Sequence, residues 1–223
     1  MSKEYKILRI AHWNADGLLN HKEEVKLFLF QNKIDILLVS ETHYTSKTHF
    51  TIPGYNLCHT NHPDDKANGG TAILIQKTIQ YNEQHQHAQP DMQATIIQVQ
   101  GHQRYINITA VYCPPRYNLK ARQYHSFFKL IEPCFIAGGD YNSKHTLWGS
   151  RVITTKGREI ALLFHTQNYS FLSTGIPTYW PTDERKLPDL LDFFVLSKIP
   201  PTSIDIQPNY DISSDHTPII STL

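Results

Sequence analysis

The chain has 223 residues, of which 40% are hydrophobic, 11% aromatic and 18% charged, and its formal net charge is +1. This length and composition exclude a disordered chain and predict one globular domain with a sizeable core. Overall charge says little about how charge is distributed over a surface, so the near-zero balance does not by itself indicate a polyanionic partner.

The cysteines, Cys58, Cys113 and Cys134, have no paired spacing, which argues against a disulfide framework and a thiolate zinc site. We therefore expect an intracellular, reducing compartment. No segment has the pattern of a signal peptide or the length of a membrane span, so the sequence predicts a soluble protein with no membrane partner. The chain stops directly behind its last polar motif, as a domain cut from a longer polyprotein would.

Eight apolar, β-branched runs have strand length and are bounded by turn residues. They cover residues 7–13, 34–39, 71–75, 95–99, 105–112, 134–137, 192–196 and 218–221. Helical spacing appears at Val25, Phe28 and Leu29 after an Asn20/Glu23 capping box, at Tyr124, Phe127, Phe128 and Ile131 after Asn118, and at Ile160, Leu163 and Phe164 after Thr155.

Each of these helices has a single apolar face, which favours packing against a core. Many strands with a few one-sided helices predict two packed sheets whose outer faces are covered by helices. Nothing marks a domain boundary, so we predict a single domain over residues 1–223. The stretch 82–91 is predicted to be a polar loop, and a metal site at His85 and His87 would need further ligands.

Six short polar motifs are predicted to lie at the C-terminal ends of apolar strands. They occupy residues 13–17, 40–42, 111–115, 138–142, 189–192 and 214–216. Carboxylates are expensive to place at the end of a buried strand, so six such placements indicate one polar site built from loops at one edge of a sheet.

Two of the carboxylates suggest a metal site. Glu41 follows an apolar run, and Asp16 lies two residues past Asn14. Hard oxygen ligands of this kind suit Mg²⁺ or Mn²⁺, which leave coordination positions for water and a phosphate oxygen. Taken alone, Glu41 is better explained by a salt bridge and Asp16 by a turn.

Asp140 and Asn142 follow the paired glycines Gly138 and Gly139, which are predicted to let the backbone turn sharply and present both side chains on one loop. An aspartate can accept a proton from water, and an asparagine amide can donate to an oxygen as negative charge develops. The pair therefore suits attack of water on phosphorus. Taken alone, this pattern is a common turn.

A carboxylate behind a histidine fixes the tautomer of the ring and raises its pKa, so that an imidazolium can meet a phosphate. We therefore interpret His216 as a phosphate binder or acid, with Asp192 as the residue that orients it. Tyr112, before a rigid Cys-Pro-Pro turn, has a phenol that can donate to the same phosphate. The alternatives are a capped strand end for Asp215, a surface or satisfied histidine for His216 and a core aromatic for Tyr112.

The candidate site residues occur along the chain in an order that resembles a known family. The ordered set is Asn14, Glu41, Tyr112, Asp140, Asn142, Asp192, Asp215 and His216. In this order the set resembles the exonuclease–endonuclease–phosphatase superfamily, and the Trp-Asn-x-Asp-Gly and Ser-Asp-His motifs are most similar to its apurinic-endonuclease branch. Residues 52–55, 61–65, 69–70, 146–150 and 157–158 are also similar to the endonuclease domain of jockey-like non-LTR retrotransposons.

This resemblance implies a DNase-like, four-layered α/β sandwich that uses Mg²⁺ to nick chromosomal double-stranded DNA in the nucleus. The 3′-hydroxyl would prime reverse transcription of the element RNA by a reverse transcriptase domain downstream in the same polyprotein. The residues around 189–191 depart from the repair enzymes, which puts specificity for abasic sites in doubt.

The resemblance also implies a role for each residue of the site. Glu41 would be the principal metal ligand, with Asp16 and Asp215 as further or alternative ligands and Asn14 organising the cluster. Asp140 would activate water, Asn142 and Tyr112 would hold the phosphate, and the Asp192–His216 pair would complete the oxyanion-binding side.

Two segments are candidates for DNA contact. Basic and aromatic residues follow the Asp140–Asn142 loop and either form a phosphate-binding edge or belong to a solvated loop with Trp148 partly buried; they are Lys144, Thr146, Trp148 and Arg151, with His145, Lys156 and Arg158 beside them. Residues 178–186 are predicted to form a hairpin that carries Tyr179, Trp180, Arg185 and Lys186, and the family resemblance suggests that such a loop probes a groove.

Other functions remain open from the sequence. The same core can host an abasic-site repair endonuclease or a phosphoesterase acting on a phospholipid or a sugar phosphate, because fold does not fix substrate. A catalytically silent nucleic-acid-binding domain is less favoured, since every catalytic position holds a competent residue.

Overall fold

The computed structural model describes residues 7–101, 104–212 and 214–223. Their strands are β1 (Arg9–Asn14), β2 (Ile36–Ser40), β3 (Tyr55–Thr60), β4 (Thr71–Gln76), β5 (Tyr81–Glu83), β6 (His87–Gln89), β7 (Met92–Gln100), β8 (Tyr105–Tyr112), β9 (Phe135–Asp140), β10 (Tyr169–Leu172), β11 (Asp192–Ser197), β12 (Asp205–Pro208) and β13 (Ile219–Thr222). Their α-helices are α1 (Lys22–Gln31), α2 (Ala121–Leu130) and α3 (Thr155–Thr166).

The described strands form two sheets. The first has the strand order β12-β13-β1-β2-β4-β3, and the second has the order β10-β11-β9-β8-β7-β5, with β6 also paired to β7. Neighbouring strands are antiparallel except for the central pairs β1–β2 and β8–β9, which are parallel. α1 joins the first parallel pair and α2 joins the second. The predicted pair of mainly antiparallel sheets is confirmed.

Three apolar clusters fill the three spaces between four layers. One lies between α1 and the first sheet, one between the two sheets, and one between the second sheet and helices α2 and α3. Alternate residues of the central strands serve different spaces: Trp13 packs on the α1 side, whereas Ile10 packs between the sheets. Both faces of the central strands are therefore buried, which explains why these strands read as continuous apolar runs.

The local predictions differ from the structure at several points. A polar loop over 82–91 is wrong, because β5 and β6 lie in this stretch and pair with β7. The Asn20/Glu23 capping box is also wrong. A 3-10 turn precedes α1. The N-cap of α1 is His21, whose side chain makes no capping hydrogen bond. α3 begins one residue earlier than predicted. Thr155 is its first residue, and the N-cap is Thr154, whose Oγ1 accepts a hydrogen bond from Gly157 N at 3.1 Å.

Gly138 and Gly139 have a different role from the predicted one. They lie inside β9, and neither has a left-handed backbone. A Cβ on Gly138 would lie 2.5 Å from the Phe194 ring and 2.8 Å from a Leu38 methyl group, and a Cβ on Gly139 would collide with Val111 O. The glycines therefore let the sheets and strands approach closely, and the backbone turn comes later, at Asn142, where φ is 47°.

The three cysteines are buried and unpaired. Among the helices that the structure describes, none combines the length and hydrophobicity that a membrane crossing requires.

Candidate active site

The polar motifs meet at one edge of the sandwich. Asn14, Ser40, Tyr112 and Asp140 end their strands there, as predicted. Asp192 instead begins β11, and the Asp215–His216 pair precedes β13. β11 and β13 run antiparallel to β9 and β1, so their starts reach the same edge as the ends of their neighbours.

This edge forms an open pocket to which both sheets contribute. It is lined by Glu41, Pro115, Asn118, Asp140, Asn142, Lys144, Thr154, Lys156, Tyr179, Leu191, Asp215 and His216.

One side of the site is a rim cluster made of Asp16, Glu41 and His43. One ligand atom from each lies within 4.8 Å of the others, and His43 Nε2 is 3.3 Å from Glu41 Oε2. All three residues have left-handed backbones, with φ of 42°, 53° and 55° respectively. Such conformations are costly for residues other than glycine and concentrate at functional sites.

The donor set of the rim cluster fits a hard divalent cation. Two carboxylates in a solvent-accessible position leave room for water and a phosphate oxygen, which suits Mg²⁺ or Mn²⁺. Burial opposes ionisation of Glu41, but hydrogen bonds from His43, Asn14 and Tyr112 outweigh it and lower the pKa of Glu41. Glu41 is therefore ionised at neutral pH.

Asp215 lies in the same pocket but outside this set of mutually close ligand atoms. Its pKa is raised, first by burial and then by the charges of Asp16 and Glu41, against the opposing charge of His216. Asp215 is thus close enough to feel the charges of Asp16 and Glu41. Its role as a metal ligand stays a prediction.

The other side of the site is a buried triad made of Asp140, Asp192 and His216. Asp192 Oδ2 accepts hydrogen bonds from His216 Nδ1 at 2.7 Å and Thr178 Oγ1 at 2.6 Å. Burial opposes protonation of His216, but Asp192 overcomes it and raises the pKa of His216 to about 10. The predicted Asp192–His216 contact is present, and the ring is an imidazolium at neutral pH.

Asp140 is the third member of the triad. His216 Nε2 forms an ion pair with Asp140 Oδ2 at 3.9 Å, and the same oxygen accepts a hydrogen bond from Asn142 Nδ2 at 2.9 Å. Burial and then the charge of Asp192 raise the pKa of Asp140 to about 7. A carboxyl group that titrates near neutral pH is suited to taking a proton from water.

Asn14 joins the two sides. Its side-chain Nδ2 donates to Glu41 Oε1 at 2.8 Å and to Asp140 Oδ2 at 3.0 Å, and its Oδ1 accepts from Asp16 N at 3.1 Å. One amide therefore fixes the rim cluster relative to the buried triad.

Tyr112 is buried beside these carboxylates. Burial, followed by the charges of Glu41 and Asp140, holds the pKa of its phenol well above the usual range. The phenol therefore keeps its proton and remains a hydrogen-bond donor.

The predicted DNA-contacting residues after the 140–142 loop fall into different environments. Thr146 is exposed, and Lys144 is half-buried and lines the pocket. Lys144 Nζ lies 3.1 Å from Asp189 Oδ2, and Arg151 Nε donates to Pro188 O at 2.9 Å.

Trp148 needs a correction. It is 1% exposed and packs against Phe193, and its indole donates to Ser143 O at 3.2 Å. Trp148 is thus a core residue and not a DNA contact. Lys156 is likewise buried, because its ammonium donates to Cys113 O at 2.8 Å and Pro114 O at 3.0 Å.

The predicted hairpin is a loop closed at its base by pairing between Tyr179 and Asp189. Tyr179 stands in the pocket with its ring centroid 5.0 Å from that of His216. Arg185 and Lys186 are exposed in the loop. The Arg185 guanidinium donates two hydrogen bonds to the Asp183 carboxylate, at 2.9 and 3.0 Å.

Sequence reasoning missed several residues of the site. Thr178 Oγ1 also accepts from Asp192 N at 3.1 Å, and Ser214 Oγ donates to Asn14 O at 2.8 Å, which ties the 214–216 segment to β1. The signal for His43 was its place two residues after Glu41. The signal for His12 was its polar character inside a buried strand, on the same face as Ile10.

The chain resembles known proteins in sequence and in fold. Residues 11–216 match the Endonuclease/Exonuclease/phosphatase family. The chain is 33% identical over 216 residues to the RNA-directed DNA polymerase from mobile element jockey of Drosophila funebris, and 32% identical over 217 residues to the probable RNA-directed DNA polymerase from transposon X-element of Drosophila melanogaster. Each match covers 97% of this chain but only 24% of the relative.

Two solved structures share the fold. The endonuclease domain of TRAS1, a telomere-specific non-LTR retrotransposon, superposes with a TM-score of 0.81 at 16% identity, covering 97% of this chain and 98% of that one. The AP endonuclease of Leishmania major gives a TM-score of 0.75 at 14% identity, covering 98% and 88% respectively.

Proposed function

The chain belongs to the endonuclease/exonuclease/phosphatase family, and we propose that it is a divalent-metal-dependent DNA endonuclease that nicks target DNA. The 3′-hydroxyl left at the nick serves as a primer for reverse transcription. In this proposal residues 1–223 are the endonuclease domain of a longer polyprotein that also carries a reverse transcriptase, binds the element RNA and acts on double-stranded DNA in the nucleus.

Two similarities support the biological setting. The relatives are named as RNA-directed DNA polymerases of mobile elements, and this chain spans about a quarter of their length. The TRAS1 domain is named as the endonuclease of a non-LTR retrotransposon.

The observation that carries the chemistry is the double hydrogen bond of Asn14 to Glu41 and Asp140. It places a group suited to holding a cation next to a group suited to activating water. Both are needed for hydrolysis of a phosphodiester, because water must attack while negative charge on the phosphate is stabilised.

The residues then divide the work. Asp140 accepts a proton from the attacking water, and the Asn142 amide donates to a phosphate oxygen. The Tyr112 phenol, whose single proton is directed at Glu41 in the free protein, would turn it to a phosphate oxygen when DNA binds. His216, held as an imidazolium by Asp192, offers its Nε2 proton to the developing negative charge. Glu41, with Asp16 and His43 and with Asp215 facing them, would hold Mg²⁺ or Mn²⁺, which supplies Lewis-acid stabilisation of the phosphate.

An abasic-site endonuclease is the second candidate, since the fold is also that of a protein named as an AP endonuclease. The choice between the two depends on whether the pocket holds a lesion or the loop grips intact duplex.

Nicking of a supercoiled plasmid tests the proposal. With Mg²⁺ the protein should convert the plasmid to the open circle, and the nick should support extension by a DNA polymerase without prior end repair. EDTA should stop the reaction, and a Glu41→Gln variant is the matched control for a contaminating nuclease. Cleavage confined to oligonucleotides with an abasic site would return the protein to the repair function. Binding without cleavage would indicate a silent binding domain.

A further inference from the structure

His12 is a buried titratable residue that the proposed reaction does not use. It lies in β1, two residues before Asn14, and is 0% exposed. Its Nε2 is 3.0 Å from Ser40 Oγ, and its Nδ1 is 3.6 Å from Asp192 Oδ1. Among the described residues, neither Nδ1 of His12 nor Oδ1 of Asp192 has a hydrogen-bond partner, although both are buried. Two unpartnered polar atoms therefore face each other behind the triad.

The neutral His12 ring has two tautomers, and they compete because Ser40 Oγ has only one proton to donate. Ser40 Oγ carries one hydrogen and lies 2.8 Å from Val111 O, which can only accept. If the serine donates to Val111, His12 must carry its proton on Nε2, and a bare Nδ1 then faces the carboxylate. If His12 carries its proton on Nδ1, the ring can donate to Asp192 and accept from Ser40.

A doubly protonated ring is disfavoured. Burial, against the opposing charge of Asp192 and together with the positive charge of His216, lowers the pKa of His12 to about 4. The ring is therefore neutral, and only one side is fully satisfied. Hydrogen bonds to an ionised group are roughly twice as strong as those between neutral groups. A buried carboxylate oxygen without a donor is accordingly the more expensive defect.

We propose that His12 is a positioning residue for the nicking reaction, in which its Nδ1–H donates to Oδ1 of Asp192 and fixes the carboxylate that orients His216. This inference rests on the proposed function. The Asp192 carboxylate is then held at both oxygens, because Oδ2 already accepts from His216 and Thr178. The separation of 3.6 Å is longer than a hydrogen bond, and we expect it to shorten in the complex with DNA, as catalytic contacts often do.

The contact crosses the interface between the two sheets, since His12 lies on β1 of the first sheet and Asp192 on β11 of the second. His216 comes from the segment before β13, in the first sheet. Asp192 is thus held between two histidines from the opposite sheet, so that the imidazolium keeps its place relative to Asp140.

The tautomer of His12 can be measured in the unaltered protein. Ring ¹⁵N chemical shifts distinguish a protonated Nδ1 from a protonated Nε2, and we expect a neutral ring protonated on Nδ1. A neutral ring protonated on Nε2, in the protein bound to a non-cleavable DNA duplex, would overturn the proposal. This measurement requires neither a variant nor turnover.

Two substitutions separate the two ends of the ring. In His12→Asn the amide reaches the position of Nδ1 and can still donate to Asp192, whereas in His12→Gln it reaches the position of Nε2 and serves Ser40 only. We expect His12→Gln to lower kcat by roughly 10- to 100-fold, as loss of an orienting partner does, with KM unchanged. His12→Asn should recover most of that rate.

A spectroscopic readout accompanies the rates. The Nδ1 proton of His216 should give a resolved downfield ¹H signal, which His12→Gln broadens or shifts and His12→Asn retains. Equal rates for both variants, or a lower rate for His12→Asn than for His12→Gln at matched thermal stability, would contradict the role. If the unaltered protein does not nick DNA, the proposed function fails, while the tautomer and the downfield signal still decide whether His12 holds Asp192.

Discussion

The rim cluster reaches the pocket through Glu41, and the buried triad reaches it through Asp140 and His216. Asn14 donates hydrogen bonds to both sides, yet the two sides differ in their exposure to water. Side-chain exposure is 23% for Glu41 and 28% for His43, against 1% for Asp140 and Asp192 and 5% for His216. Burial acts on both sides of the site, but the pKa of Glu41 is lowered and that of Asp140 is raised.

The difference shows how one chemical group serves two purposes. Glu41 receives hydrogen bonds from several donors and stays charged, as a cation ligand must. Asp140 is more deeply buried and faces the charge of Asp192, so its proton is exchangeable near neutral pH. In the proposed function, this difference in access to water separates the carboxylate that would hold a metal from the carboxylate that would accept a proton.

The largest effect on the cleavage rate is expected from removing the Glu41 carboxylate of the rim cluster. Glu41→Ala should abolish nicking, with a loss of about 10⁴-fold that corresponds to about 5.5 kcal/mol of transition-state stabilisation. The fold should persist, because Glu41 is partly exposed. Plasmid nicking and thermal unfolding measure the two effects, and Glu23→Ala, which removes a carboxylate from the exposed face of α1, is the control. Turnover like that of the unaltered protein at limiting Mg²⁺ would refute the metal assignment.

The triad should affect chemistry more than binding. Asp140→Asn and His216→Ala should each lower the cleavage rate by roughly 10²- to 10³-fold, because their roles belong to the transition state. DNA affinity, measured by fluorescence anisotropy, should change far less. His165→Ala, at an exposed position on α3, is the matched control. Proportional loss of binding and chemistry would instead make both residues structural.

The pH dependence should report the triad and not the rim. Asp140 must be ionised to accept a proton, so kcat/KM should rise as pH passes about 7. His216 must be protonated, so kcat/KM should fall as pH passes about 10. The two groups interact, and the observed midpoints belong to the pair. A profile without a rising limb near neutral pH would remove Asp140 from the role of base.

A smaller effect of His216 is expected on the free energy of unfolding and on its dependence on pH. The pKa of His216 is raised from 6.5 to about 10 on folding, so its contribution is fully present below 6.5 and is lost as pH rises through about 10. The difference in free energy of unfolding between the unaltered protein and His216→Asn should therefore shrink over this range. Denaturant titrations at several pH values measure it, and a constant difference would mean that no charge is involved.

The smallest effect on rate is expected outside both clusters. Arg185→Ala and Lys186→Ala, in the exposed loop, should change which sites on a plasmid are cut more than how fast they are cut. Each lost phosphate contact should reduce the slope of log affinity against log salt by about 1. Mapping nick positions checks this, and an unchanged pattern would mean that the loop does not select targets.

The sequence predicted the central strands because both of their faces are buried and their apolar runs are continuous. The strands it missed, β3, β5, β6, β10 and β12, lie at sheet edges or off the main path. Their residues are mostly half-buried or exposed, as in the alternating pattern of β12. Pairing with a neighbour, which is invisible in the sequence, creates such strands.

The residues that carry the chemistry of the site could be predicted from the sequence more readily than the residues that pack around them. Asp192 and His216 could be paired from residue type and order, but Trp148, which is aromatic in a basic stretch, gave no sign that it packs against Phe193. The role of Gly138 was equally hidden, because it depends on Phe194 and Leu38 approaching from two different sheets. Such contacts arise from tertiary packing and leave no mark in local sequence.

The closed base of the loop that follows Tyr179 has a consequence for how such enzymes diverge. The chain enters the loop at Tyr179 and leaves it at Asp189, and the backbones of these two residues are hydrogen-bonded to each other. The Asp189 carboxylate also forms an ion pair with Lys144. An insertion or a replacement between these two points leaves the anchors, and therefore the triad beside Tyr179, in place. In the proposed function this loop meets the target DNA, so the segment between the two points can be exchanged while the residues proposed for hydrolysis stay in place, and foreign loops can be grafted at the same two points.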